Sequence, residues 1–215
     1  MSYYNKKDMH MFYLPFQKIR KEPWNKGKLI GQKPPLKLNE IWGIRIRLQL
    51  ENKKRELALF NLAIDSKLRA CDLVRLRVQD VHSGGCVASR TKVIQKKTQL
   101  SVQFELTLQT RIAIEKWIKM AHLTSVEYLF PSRASHLSTR QYSRLVSNWI
   151  GSIGLDPSIY GTHSLRRTKA SLIYKRTQNL RAVQLLLGHT KLESTVRYLG
   201  IEVDDALEIA EQTEV

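Results

Sequence analysis

The sequence predicts an α/β fold that is mainly α-helical and carries a small antiparallel β-sheet. Apolar residues recur at helical spacing both early and late in the chain, as in Ile41, Ile44 and Leu48 and again in Tyr142, Leu145, Val146, Trp149, Ile150 and Ile153. Between these stretches Leu100, Val102, Phe104 and Leu106 alternate strictly with Ser101, Gln103, Glu105 and Thr107, the period of a half-buried strand. With 215 residues, 42% of them hydrophobic, the chain can bury one real core and is short for two.

Residues 1–37 mix Lys, Tyr, Trp and Pro without a sustained period, and Pro15, Pro23, Pro34 and Pro35 block a long helix. This segment reads as an extended basic arm. Helix is expected from Asn39, a plausible N-cap, and then over residues 57–64 and 68–76, the latter entered through Asp65 or Ser66. His82-Ser83-Gly84-Gly85 is a turn signal, after which residues 86–95 are expected to pair with the alternating strand through a tip at Lys96-Lys97-Thr98-Gln99. Ile114, Trp117, Ile118 and Ala121 mark a helix from Thr110, and the next is expected from Ser138. Thr162 and Asn179 are expected N-caps, Gly188 ends the helix after Asn179, and Thr190 with Glu193 has capping-box spacing for a last helix that Gly200 closes. The organisation expected is an arm over 1–37, a globular body over 38–200 and an acidic tail over 201–215.

Charge narrows the function. Thirty-six Lys and Arg face 19 Asp and Glu, for a net +17, and residues 201–215 carry six acids and no base. The body is therefore strongly basic and suits a polyanion such as nucleic acid, although a merely solvated basic surface has the same composition. The longest apolar run, residues 57–64, is interrupted by Asn61 and is far below the about 20 residues of a spanning helix. Lys6, Lys7, Asp8 and His10 interrupt any signal-peptide pattern, so a cytoplasmic, DNA-associated protein without membrane contact is expected. Cys71 and Cys86 have neither disulfide-framework nor zinc spacing and read as small buried hydrophobes.

The chemistry concentrates near the C-terminus. His163 and Arg166, three apart at a helix start, face one way and suit a phosphate. Tyr198 follows His189 by nine residues, which on one unbroken helix would place them on opposite faces. The break and new cap between them remove that objection.

This ordered set resembles the catalytic domain of the tyrosine recombinase (phage integrase) family. The resemblance covers about residues 38–200 and rests on Arg69 in Leu68-Arg69-Ala70-Cys71-Asp72, Lys97 in the hairpin tip, His163 with Arg166, His189 after Gly188, and Tyr198. It implies that fold and a metal- and ATP-independent DNA strand exchange. Arg69 and Arg166 would hold the scissile phosphate, Tyr198 would be the nucleophile of a 3′-phosphotyrosyl intermediate, and Lys97 the general acid. His163 would serve as base or its aide, and His189 as a phosphate contact. Double-stranded DNA is the implied partner, bound by a homotetramer whose acidic tails dock in trans.

Each assignment has a plainer counterpart. Arg69 could pair with Asp72 at i,i+3, and the resemblance implies that Asp72 also orients the guanidinium. Lys92 and Lys96 compete with Lys97, while Arg167 reads as an exposed neighbour rather than a second phosphate contact. Single histidines are more often structural and a lone tyrosine more often core. Two departures stand out: the family's helical DNA clamp is replaced by the basic arm, which invites an accessory DNA-binding partner, and Lys67 stands where Gly often precedes Leu-Arg. The Lys67 exchange is expected to alter surface rather than chemistry. Two rival functions share these residues, a catalytically silent DNA-binding regulator or accessory subunit, and a relaxing enzyme of the type IB topoisomerase kind.

Overall fold

The computed structural model describes residues 32–133, 135–201 and 211, so most of the basic arm and of the acidic tail lies outside the described residues. Helix α1 (Leu38–Leu50) starts after Lys37, whose N–H donates to the Glu40 carboxylate at 2.8 Å. The expected cap, Asn39, is already inside it. Its buried stripe is the expected one, Ile41, Ile44 and Leu48.

Helix α2 (Lys54–Ser66) is the centre of the molecule. Every residue from Ala58 to Ser66 is buried, because α1, α5, α7 and β4 surround it. Asn61 is half-satisfied there: its Oδ1 accepts from Arg45 Nε at 2.8 Å, while its Nδ2 is buried without a partner among the described residues. The helix runs through Asp65 and Ser66 and stops at Lys67, whose φ of 55° is left-handed. The helix expected over 68–76 reduces to α3 (Ala70–Leu73), followed by α4 (Val78–Val81). Asp65 is unavailable as a cap because its carboxylate takes Thr107 N–H, the Thr107 and Thr110 hydroxyls and Lys169.

The structure forms two small sheets where one was expected. Gly84 and Gly85, at φ 61° and 83°, turn β1 (His82–Ser83) back onto β2 (Cys86–Val87), so Cys86 opposes Ser83. The alternating strand β4 (Ser101–Glu105) pairs antiparallel with β3 (Arg90–Ile94), Val93 opposite Val102. Val102 and Phe104 point into the core as the alternation required. Cys86 is exposed and Cys71 half-buried, which corrects the expectation of two buried thiols.

Helix α5 (Leu108–Ala121) begins two residues before Thr110, and α6 (Thr139–Ser152) begins one residue after the expected start, with Ser138 as its cap and Gln141 completing the box. Trp149 on α6 meets Phe60 of α2 edge-on at 5.5 Å and donates to Glu56. Helix α7 (Thr162–Thr177) is entered from Gly161, making Thr162 its first residue rather than its cap. Asn179 does cap α8 (Leu180–Leu187), accepting from Ala182 N–H at 2.9 Å. Gly188 and Gly200, both left-handed, end α8 and α9 (Leu192–Leu199), and α9 is entered from Lys191. Among the described residues no helix is long and apolar enough to cross a membrane.

Candidate active site

Helix α7 sets the floor of the site. Leu165 and Ala170 anchor it in apolar clusters, which leaves His163 exposed at its first turn and draws Arg166 and Arg167 inward, 3% and 7% exposed. Arg166 Nη2 donates to the Leu187 carbonyl at 2.9 Å, while its Nη1 is buried without a partner. That carbonyl is one of the last-turn acceptors of α8 that the helix itself leaves unpaired.

Gly188 lets the chain turn there. At φ 66° it avoids the left-handed penalty, and a Cβ would lie 2.4 Å from Val102 Cγ1 and 3.2 Å from the Gln95 amide. The turn delivers His189, whose Nδ1 lies 3.1 Å from Thr195 Oγ1 on α9. One and a half turns of α9 then bring Tyr198 back, its ring edge-on to His189 with centroids 5.4 Å apart. The glycine break thus puts both on one site, as the spacing argument required.

Tyr198 is surrounded by cations. The guanidinium carbons of Arg166 and Arg167 lie 5.7 and 4.8 Å from its ring centroid, and its buried Oη faces Arg166 without a well-formed hydrogen bond among the described residues. Burial raises the pKa of the phenol, and Arg166, Arg167 and Arg69 pull against that rise. Burial, reinforced by Arg166 and Arg69, pushes His189 down to about 4. His163 is lowered by its desolvation and by the same arginines together with Arg167. Both imidazoles are therefore mainly neutral at pH 7, each with one N–H donor and one acceptor nitrogen.

Arg69 enters from the other side as the residue before α3. Its Nη1 donates at 2.5 Å to Gln95 Oε1 at the end of β3, not to Asp72. Asp72 accepts the Lys96 backbone N–H at 2.8 Å instead, a correction to the expected Arg69–Asp72 pair, because the hairpin lies closer to the carboxylate than the guanidinium does. Lys97 is exposed at the hairpin turn, with no hydrogen bond or ion pair to the other candidates. Lys92 and Lys96 line a cleft with Asp72, Arg75 and Asp80. The structure thus brings together Arg69, His163, Arg166, His189 and Tyr198 and leaves Lys97 at the rim.

Three residues here escaped the sequence reading. Gln95 is 1% exposed and also donates to the Leu187 carbonyl at 3.2 Å, and nothing in a hairpin sequence announces such a contact. Arg167, expected at the surface, is buried: it donates to the Lys33 carbonyl and Gln32, and Gln32 in turn donates to the Arg197 carbonyl. Lys67 was expected to alter surface only, yet it is 1% exposed, with Nζ 2.6 Å from the Asp65 carbonyl and 3.2 Å from Glu105. Lys169 on α7 closes this cluster on Asp65 and Glu105 at 2.7 and 2.6 Å. Among the described residues no group of three His, Cys, Asp or Glu side chains could hold a metal ion.

Residues 44–203 match the model of the phage integrase family. The chain is 30% identical over 157 residues to the probable integrase/recombinase YoeC of Bacillus subtilis, covering 72% of this chain and 82% of that protein. It is 26% identical over 165 residues to the tyrosine recombinase XerC of Thermodesulfovibrio yellowstonii, covering 74% of this chain and 54% of XerC, so it spans about half the length of such relatives. Among solved structures, the XerA recombinase superposes with a TM-score of 0.69 at 20% identity over 85% of this chain and 66% of that one. The XerH site-specific recombinase, in a pre-cleavage complex with its difH substrate, superposes with a TM-score of 0.65 at 21% identity over 84% and 55%. At these identities the structural likeness shows a shared fold.

Proposed function

The chain belongs to the phage integrase family, and on that premise we propose that it is a tyrosine-type site-specific DNA recombinase that cuts and rejoins duplex DNA through Tyr198. The observation that carries this reading is the buried Tyr198 Oη set against the Arg166 guanidinium, neither that Oη nor Arg166 Nη1 being held by any other group among the described residues, with Arg69 and two imidazoles of lowered pKa around them. A phosphodiester brings the acceptor oxygens that such a cradle lacks.

In the reaction proposed, the Tyr198 oxygen attacks phosphorus, its proton passes to His163, and the bond to the 5′-oxygen breaks. Lys97 gives that oxygen its proton, leaving a 3′-phosphotyrosine and a free 5′-hydroxyl. Arg69 and Arg166 stabilise the charge on the non-bridging oxygens. In the tautomer whose Nδ1 accepts from the Thr195 hydroxyl, His189 presents Nε2–H to the same oxygens. A 5′-hydroxyl of a second strand reverses the steps, so the bond energy is retained in the phosphotyrosine and no nucleotide triphosphate is consumed. The wider reading is a cytoplasmic homotetramer on DNA, with the body over 38–200 as catalytic unit, the arm over 1–37 or an accessory protein completing the grip, and the acidic tail docking in trans.

The test is covalent trapping on a library of nicked duplexes, comparing the chain with Tyr198→Phe on a denaturing gel. An adduct that disappears in Tyr198→Phe is expected. Equal, salt-sensitive DNA binding by both proteins without any adduct overturns it in favour of a DNA-binding regulator.

A further inference from the structure

We infer that Gln95 is a positioning residue that sets Arg69 against the scissile phosphate and locks it in register with Arg166. This rests on the recombinase reading above. The Gln95 amide uses both ends: Oε1 accepts from Arg69 Nη1 at 2.5 Å and from Thr98 Oγ1 at 2.9 Å, and Nε2 donates to the Leu187 carbonyl at 3.2 Å. The same carbonyl holds Arg166 Nη2 at 2.9 Å. One continuous chain of hydrogen bonds therefore joins the two guanidiniums, which lie nearly a hundred residues apart in sequence.

The amide has no freedom to do otherwise. It is 1% exposed, and only the missing Cβ of Gly188 leaves it room. Thr98, bound to the same Oε1, belongs to the turn that carries Lys97, so the acid-bearing tip is referenced to the same point. By holding one edge of each guanidinium, Gln95 and Leu187 leave Arg166 Nη1 and the remaining Arg69 nitrogens for a phosphate. Among the described residues no carboxylate hydrogen-bonds Arg69, and the group that does is a neutral amide, which adds no negative charge beside the phosphate.

The experiment measures single-turnover adduct formation and DNA affinity for the full chain, Gln95→Met and Arg69→Ala, on the site recovered from the nicked library. Each is run with a natural phosphodiester and with a methylphosphonate at the scissile position, where a neutral methyl replaces one anionic oxygen. Gln95→Met should slow adduct formation about 10- to 100-fold with DNA affinity almost unchanged, as expected for a misplaced reacting group. On the methylphosphonate the deficit should shrink about fivefold or more, in parallel with Arg69→Ala, because less charge needs stabilising there. Gln95→Asn, which keeps the amide but withdraws it by one methylene, should show the same pattern and serves if Gln95→Met does not fold. A deficit equal on both substrates, a parallel loss of DNA affinity or a wild-type rate overturns the positioning role alone. No adduct from the unaltered chain overturns the recombinase reading itself.

Discussion

The guanidinium of Arg167 lies 4.8 Å from the ring centroid of Tyr198 while its nitrogens hold the Lys33 carbonyl and the Gln32 side chain. One buried residue thus fastens the segment ahead of α1 to the side chain proposed as nucleophile. Gln32 completes the strap by donating to the Arg197 carbonyl at 2.5 Å. Replacing Arg167 by Lys keeps a charge but cannot reproduce a planar fork that stacks and bridges at once. Arg167→Lys is expected to slow adduct formation about tenfold, the scale of a partly desolvated cation–π contact. Single-turnover trapping against DNA affinity measures it, and unaltered trapping would refute the strap.

The two histidines should make stability depend on acidity in a defined window. Their folded pKa values lie below the ordinary 6.5, with His189 near 4, so the unfolded chain binds more protons between those values. Stability from this source is complete above about pH 6.5 and is lost as pH falls toward 4. His189→Asn should flatten part of the decline in melting temperature across that window. Asp65 and Glu105, both held below the usual carboxylate range by their lysine partners against the cost of burial, add a further loss only at more acidic pH.

Lys67 should be worth more as a lysine than its left-handed backbone suggests. Lys67→Gly removes a conformational cost of about 1 kcal/mol but also the ammonium that Glu105 and the Asp65 carbonyl engage. Lys67→Met retains both the backbone cost and the side-chain volume while losing the charge. Urea unfolding should show Lys67→Met destabilised by about 1–3 kcal/mol, with Lys67→Gly less affected. A neutral Lys67→Met would mean that Lys169 alone satisfies Glu105.

Gly188→Ala is expected to be severe. The added methyl would meet Val102 Cγ1 at 2.4 Å in a backbone conformation already disfavoured for alanine. A loss of about 2 kcal/mol or more follows from strain and overpacking together. Because the same turn aims His189, any protein that folds should also trap DNA poorly, which separates this site from a remote packing defect.

The helical stripes on α1, α5 and α6 and the outward–inward alternation of β4 were legible because a single periodic signal decides them. The stretch after Ser66 was not, since Lys67 turns left-handed for a buried contact with Glu105 almost forty residues away. The second sheet was hidden for a related reason: Gly84-Gly85 reads as a turn, but Cys86–Val87 is too short to show that it pairs backward rather than forward. At the site, the family resemblance pointed to Arg69, His163, Arg166, His189 and Tyr198, and the fold places these side chains near one another. Their supports, Gln95, Arg167 and the Leu187 carbonyl, act through long-range contacts or through backbone, and side-chain patterns carry no record of either. Asp72 was the instructive miss, since proximity in sequence favoured a pair with Arg69 that the hairpin displaced.

The end of α8 explains how so cationic a pocket folds before any DNA arrives. A helix concentrates about half a negative charge at its C-terminus, and the carbonyl of Leu187, freed by the turn at Gly188, presents it to Arg166 directly and to Arg69 through the Gln95 amide. The helix acts as a standing counter-ion that repels an incoming anion less than a full carboxylate would. The repulsion between the guanidiniums is therefore met during folding, and an arriving phosphate finds its receptor already charged, already aligned and only partly neutralised.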